Sequence, residues 1–119
     1  MRMSGINDWK LIEFKKIEDK RGCLSVIEEC KEIPFRIGDV RWISCHNSIG
    51  RIPLSFQMGK EKFIVPLSGE FDITDSDGIF KNIRLDKPNQ GLYLNGDISL
   101  EIVNFSKDSV ALIMSSESR

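Results

Sequence analysis

The sequence holds a single histidine, His46, and that scarcity excludes more chemistry than any other feature. A transition-metal site in a jelly-roll domain draws on two or three imidazoles and a carboxylate. One histidine cannot build it, and Cys23, Cys30 and Cys45 offer no CxxC spacing to replace it. No metal ion and no cofactor is therefore expected. Three thiols without pairing signals also argue against a disulfide framework and for a reducing, cytoplasmic setting. There is no nucleophile elbow, no phosphate-cradling glycine loop and no dinucleotide fingerprint. Nothing approaches the roughly 18 apolar residues of a membrane helix, and the first eight residues lack the apolar stretch of a signal peptide. A basic excess is missing too: net charge is −1 and the sequence pI about 5.8. Nucleic-acid binding, which relies on neutralising phosphates, is not expected. The run Lys15 to Arg21 mixes both signs and reads as a solvated face.

What is present is a series of short apolar runs divided by turn residues. The 119 residues, 40% hydrophobic and 29% charged, suffice for one domain with a real core. Strands are expected at Trp9–Ile17, Leu24–Glu28, Asp39–Cys45, Lys62–Leu67, Glu70–Thr74, Ile79–Leu85, Leu92–Leu94, Ile98–Phe105 and Val110–Ser115. Asp75-Ser76-Asp77-Gly78 is the clearest turn, because Asp-Gly accepts the backbone angles of a tight hairpin. No window of helical length carries a helical period. Regular strand spacing predicts an all-β sandwich or barrel. In the last strand Val110, Leu112 and Met114 share one face and Ser109, Ala111, Ile113 and Ser115 the other. Both faces are partly apolar, as in a sheet packed between a partner sheet and something else, such as a second subunit. The single domain is taken as residues 1–119, with 1–8 and 116–119 as loose ends.

Several segments, in order, resemble the WxcM-like cupins, a group that includes the TDP-4-keto-6-deoxyglucose 3,4-ketoisomerases of deoxysugar and surface-polysaccharide pathways. Asp19-Lys20-Arg21-Gly22-Cys23-Leu24-Ser25-Val26-Ile27-Glu28 follows the pattern D-x-R-G-x-L-x-x-x-E. Ile33-Pro34-Phe35-Arg36-Ile37 follows I-P-F-x-I, and Leu67-Ser68-Gly69 follows L-x-G. Leu85 to Tyr93, reading LDKPNQGLY, follows L-x-x-P-x-x-G-L-Y. No one piece is specific; the colinear set, from about Leu11 to Ser115, is. The resemblance implies a cupin jelly roll, that is, a double-stranded β-helix, a nucleotide-sugar ligand of the TDP-linked kind, and a homodimer with strands exchanged or packed between subunits.

The departures from the family pattern carry as much information. The family has H-x-H shortly after an arginine, which Arg51 matches. Counted from Arg51, the histidine positions hold Leu54 and Phe56; counted back from Gly69 they hold Ser55 and Gln57. The late family W-H-E reads Ser99-Leu100-Glu101, so Leu100 takes the third histidine position. Moving a carbonyl to the neighbouring sugar carbon passes through an enediol and needs a group that titrates near neutrality, for which imidazole is suited. Leucine and phenylalanine neither take nor give a proton, so the family's histidine mechanism is not expected here.

Three functions follow: a sugar-nucleotide-binding cupin without that mechanism, an isomerase or epimerase using other groups, or a jelly-roll scaffold with a closed pocket. For the second, Glu101 and Tyr93 are the catalytic candidates, with Glu61 and His46 outside them. For ligand binding the candidates are Arg51 and Arg41, as diphosphate partners, and Trp42, as a stacking wall for the base or else a core residue. Glu101 alternates with Leu100 and Ile102 and so faces away from them: a possible buried base if that face lines the barrel, a solvated residue if it lies outside.

Overall fold

The structure, a computed structural model, describes residues 9–27, 31, 33–46, 50–54, 61–75, 82–95 and 99–116. Among them are eleven strands and no helix. They are β1 (Lys10–Glu13), β2 (Lys16–Asp19), β3 (Gly22–Ser25), β4 (Ile37–Cys45), β5 (Arg51–Leu54), β6 (Glu61–Ser68), β7 (Phe71–Asp75), β8 (Asn82–Leu85), β9 (Gln90–Asn95), β10 (Leu100–Val103) and β11 (Ser109–Ser116). A five-stranded sheet in the order β1-β9-β6-β11-β4 faces a four-stranded sheet in the order β5-β10-β7-β8, every pair antiparallel. This is the jelly roll, with neighbours in space drawn from distant parts of the chain.

Burial follows the two-residue period of each strand. Leu54, Ile64, Phe71, Ile73, Leu85, Leu92, Leu94, Leu100, Ile102, Ala111 and Ile113 project between the sheets and form the main core. A second core lies on the outer face of the five-stranded sheet, where Phe63, Val65 and Met114 are covered by Phe14, Ile33 and Phe35. The chain thus supplies part of the second cover that the two apolar faces of β11 called for. Gly91 is where these layers meet: a Cβ there would run into the Phe63 ring, and that ring packs tilted against Phe14 at 6.2 Å.

Where the elements depart from expectation, tertiary contacts are the reason. The run Trp9–Ile17 is two strands, because the chain turns at Phe14. There the Phe14 N–H donates to the Asn89 carbonyl (2.8 Å), and the Asn89 side-chain amide donates to the Phe14 carbonyl (3.3 Å). Strand β5 was not expected. It contains Pro53, which a strand at the edge of a sheet accepts. Pro66 in β6 sits beside a bulge between Val110 and Ala111, past the end of the pairing with β9. The tip of the Asp75–Gly78 turn and the ends 1–8 and 117–119 lie outside the described residues. Ser116, expected to begin a loose end, closes β11 instead. Ser115 is fully buried, and the Glu61 N–H donates to the Ser116 hydroxyl at 3.1 Å.

Strands β2 and β3 pair only with each other. Every residue of β2 is exposed, and Ile17, Leu24 and Val26 present apolar surface to solvent.

Candidate functional site

The two ends of the barrel have different chemistry. At one end β6 turns into β7 through Gly69. Its φ is 72°, and a Cβ there would lie 2.5 Å from the Ser106 hydroxyl. The Ser106 N–H donates to the Glu70 carbonyl, the Glu70 N–H to the Ser106 hydroxyl, and the Asp108 N–H to the Cys45 carbonyl. This Gly69 end is stitched shut by backbone bonds. His46 is here, exposed, with Nδ1 3.8 Å from an Asp108 carboxylate oxygen.

At the opposite end the inner faces of both sheets turn polar. Lys62 precedes the buried Ile64 by two residues, so it too points between the sheets, and it is only 5% exposed. In register it adjoins Ser115, which adjoins Asp39, making one row across β6, β11 and β4. The Ser115 hydroxyl donates to Asp39 Oδ1 at 2.8 Å, and Arg41 Nη2 approaches Asp39 Oδ2 at 3.3 Å. On the facing sheet Asp75, Leu100 and Leu54 form a second row across β7, β10 and β5. Asp75 is 8% exposed, and both leucines belong to the main core. A buried ammonium, two carboxylates, a guanidinium and a hydroxyl thus lie around an apolar floor. Such a mixture of a few polar groups on an apolar lining suits a small polar ligand.

The candidates read from the sequence are distributed as follows. Arg41 lies at this Lys62 end, on the inner face. Leu54 and Leu100, the histidine positions expected when counting from Arg51 and from the late W-H-E, adjoin each other there. Phe56, Ser55 and Gln57 lie outside the described residues. Glu101 takes the second of its two alternatives: between Leu100 and Ile102 of the inner core it projects from the outer face of the four-stranded sheet. Arg51 joins it there, with Nε 2.7 Å and Nη2 2.6 Å from Glu101 Oε1. The same outer face carries Asp72, which accepts from Arg84 at 2.7 Å and from the Asn104 amide at 2.9 Å. The Asp72 carboxylate pushes the Arg84 guanidinium further up from its ordinary value, assisted by Glu70.

Tyr93 lies on the other outer face, that of the five-stranded sheet. Its ring stacks near Phe35 (6.2 Å), and its hydroxyl donates to Glu61 at 2.8 Å. Trp42 is on the same side, on strand β4, and is 67% exposed, so of its two readings that of a core residue does not hold. Glu101 and Tyr93 are therefore separated by both sheets, and a molecule held between the sheets meets neither. Lys62, Asp75, Asp39 and Ser115 were not singled out from the sequence. A strand reading KFIVPL is apolar on both faces, so nothing in it tells which face Lys62 shares until Ile64 is seen inside.

Jelly roll and polar barrel end together define a cupin, and comparison with known proteins narrows the class. Residues 7–118 match the family described as WxcM-like, C-terminal. The chain is 40% identical over 111 residues to a TDP-4-oxo-6-deoxy-alpha-D-glucose-3,4-oxoisomerase of Aneurinibacillus thermoaerophilus, covering 91% of this chain and 78% of that one. Among solved structures it resembles the sugar 3,4-ketoisomerase QdtA of Thermoanaerobacterium thermosaccharolyticum in complex with TDP, at TM-score 0.83 and 29% identity, over 94% of this chain and 82% of that one. A 3,4-ketoisomerase of Helicobacter canadensis gives 0.82 and 29%, over 94% and 85%. The chain belongs to the WxcM-like family of cupins, and its relatives are TDP-sugar 3,4-ketoisomerases.

Proposed function

We propose that this chain is a sugar-nucleotide-binding cupin of the 3,4-ketoisomerase type. It takes a TDP-linked deoxysugar between its sheets at the Lys62 end, in deoxysugar and surface-polysaccharide assembly, without the family's imidazole chemistry. The observation that carries this reading is the pairing of Leu54 with Leu100. Counted from Arg51 and from the late W-H-E, two positions of family histidines adjoin on the inner face, and both are leucines in the main core. Around them Arg41 supplies a cation suited to phosphate oxygens, and Lys62, Asp39 and Asp75 supply polar groups for the oxygens of the sugar. Because Glu101 and Tyr93 lie on opposite outer faces, the isomerase reading that relied on them has no common substrate position. A cytoplasmic setting fits Cys45, a buried free thiol.

A homodimer is part of the same proposal. Strand β4 ends the five-stranded sheet and carries exposed Val40 and Trp42. A long apolar edge strand of this kind invites pairing, and an isolated hairpin such as β2–β3 is marginal without a partner. Sedimentation of the protein gives a dimer, and Trp42→Lys shifts it to monomer; a monomeric wild type removes this part.

The ligand reading is tested by following thermal unfolding with TDP present. A ligand that binds only the native state at a hundredfold excess over its Kd stabilises by about 2.7 kcal/mol, a rise of several degrees. No rise at millimolar TDP would reject the proposal.

A further inference from the structure

Lys62 and Asp75 are charged groups buried between the sheets at the same barrel end, one on each sheet. We infer that they are a proton-transfer pair for a hydroxy-ketone held between them, an inference that rests on the sugar-nucleotide reading above. Facing sheets lie about 10 Å apart, a gap that a lysine and an aspartate reach across from its two sides. Asp75 stands in the row of Leu100 and Leu54. The acid–base groups have thus moved from β5 and β10, where the family pattern places histidines, to the adjoining strand β7 and the facing strand β6. Asp39 is held by Ser115 and Arg41 on the Lys62 sheet, and Asp75 is the buried carboxylate of the facing sheet.

The proton count closes. The Asp75 carboxylate takes the proton from C3 while the Lys62 ammonium gives one to the C4 carbonyl oxygen, forming an enediol, a neutral amine and a carboxylic acid. The amine then takes the proton of the C3 hydroxyl, which becomes the carbonyl, and the Asp75 acid delivers its proton to C4. Both side chains return to their starting forms, and the carbonyl has moved from C4 to C3. No oxidant, metal or added group is required.

The test uses the whole protein and TDP-4-keto-6-deoxyglucose, the ligand of a related 3,4-ketoisomerase structure, in heavy water, with deuterium entry at C3 and C4 followed by NMR. Wild type exchanges and isomerises. Positioned acid–base groups contribute 10²- to 10⁴-fold, so Asp75→Asn and Lys62→Gln each slow exchange by about 100-fold or more, and Asp75→Asn does so while keeping the thermal shift with TDP. Should either variant fail to fold, the wild-type pH profile decides: a bell-shaped rate supports the pair and a flat one overturns it. A wild type that binds TDP without any exchange, or an Asp75→Asn protein that exchanges at the wild-type rate, overturns the pair and leaves the binding reading standing. Absence of TDP binding removes both.

Discussion

The Gly69 end and the Lys62 end belong to the same two sheets, yet they solve opposite problems. At the Gly69 end, polar groups are consumed by the fold: backbone bonds link Glu70 with Ser106 and Cys45 with Asp108. A glycine at φ 72° is needed because a side chain would collide with Ser106 and Ser109. At the Lys62 end, charged side chains are held inside, where burial is costly unless each charge is paired. The first end contributes stability; the second retains groups whose value is chemical. The only histidine, His46, is exposed at the stabilising end, away from the Leu54 and Leu100 positions.

The largest effect that would sharpen this comparison is at the closed end. Gly69→Ala forces both an unfavourable backbone angle and a clash, and costs about 2–3 kcal/mol. Urea unfolding reads the loss, and TDP affinity stays unchanged in the folded fraction. Next comes Leu54→His, which buries an imidazole beside Leu100 and costs roughly 2 kcal/mol. A variant as stable as wild type would show that the floor of this end is already wet. Ser115→Ala removes the hydroxyl that Asp39 accepts and costs about 1 kcal/mol; unlike Gly69→Ala, it also weakens TDP binding.

The smallest effect lies outside both ends, in the β2–β3 hairpin. The side chain of Arg21 hydrogen-bonds Asp19 and, with its backbone N–H, holds that carboxyl below its ordinary value of 3.8. A depressed carboxyl stabilises only above its unfolded value, and the contribution fades as pH falls through the folded one. Because Asp19 is fully exposed, solvent screens the pair. Asp19→Asn therefore leaves the unfolding midpoint unchanged between pH 5 and 8. A clear drop would mean that the hairpin is buried against a second copy.

Much of the fold could be read from sequence because turn residues mark it. The Asp75–Gly78 signal and the LDKPNQG loop locate the β7–β8 hairpin and the approach to β9, and two-residue alternation sorts the residues of β10 and β11 into two faces. The break at Phe14 could not be read, since no glycine or proline marks it; Asn89, distant in sequence, holds it. Strand β5 was hidden by its shortness and Pro53. The site was legible only as a set of absences. The sequence shows that Leu54 and Leu100 are not histidines, but Asp75, Lys62 and Asp39 share one barrel end only through the pairing of β4, β6 and β7 into two facing sheets. Glu101 illustrates the limit: alternation says that it opposes Leu100, and only the packed sheets say which side is inside.

The difference between the two ends is tested most directly by a methyl NMR titration of the protein with TDP. The account predicts that the signals of Leu54, Leu94 and Leu100 shift in proportion to one another and saturate, while those of Leu85 and Ala111 stay in place. Shifts confined to Leu85 and Ala111, or none at millimolar TDP, would contradict it.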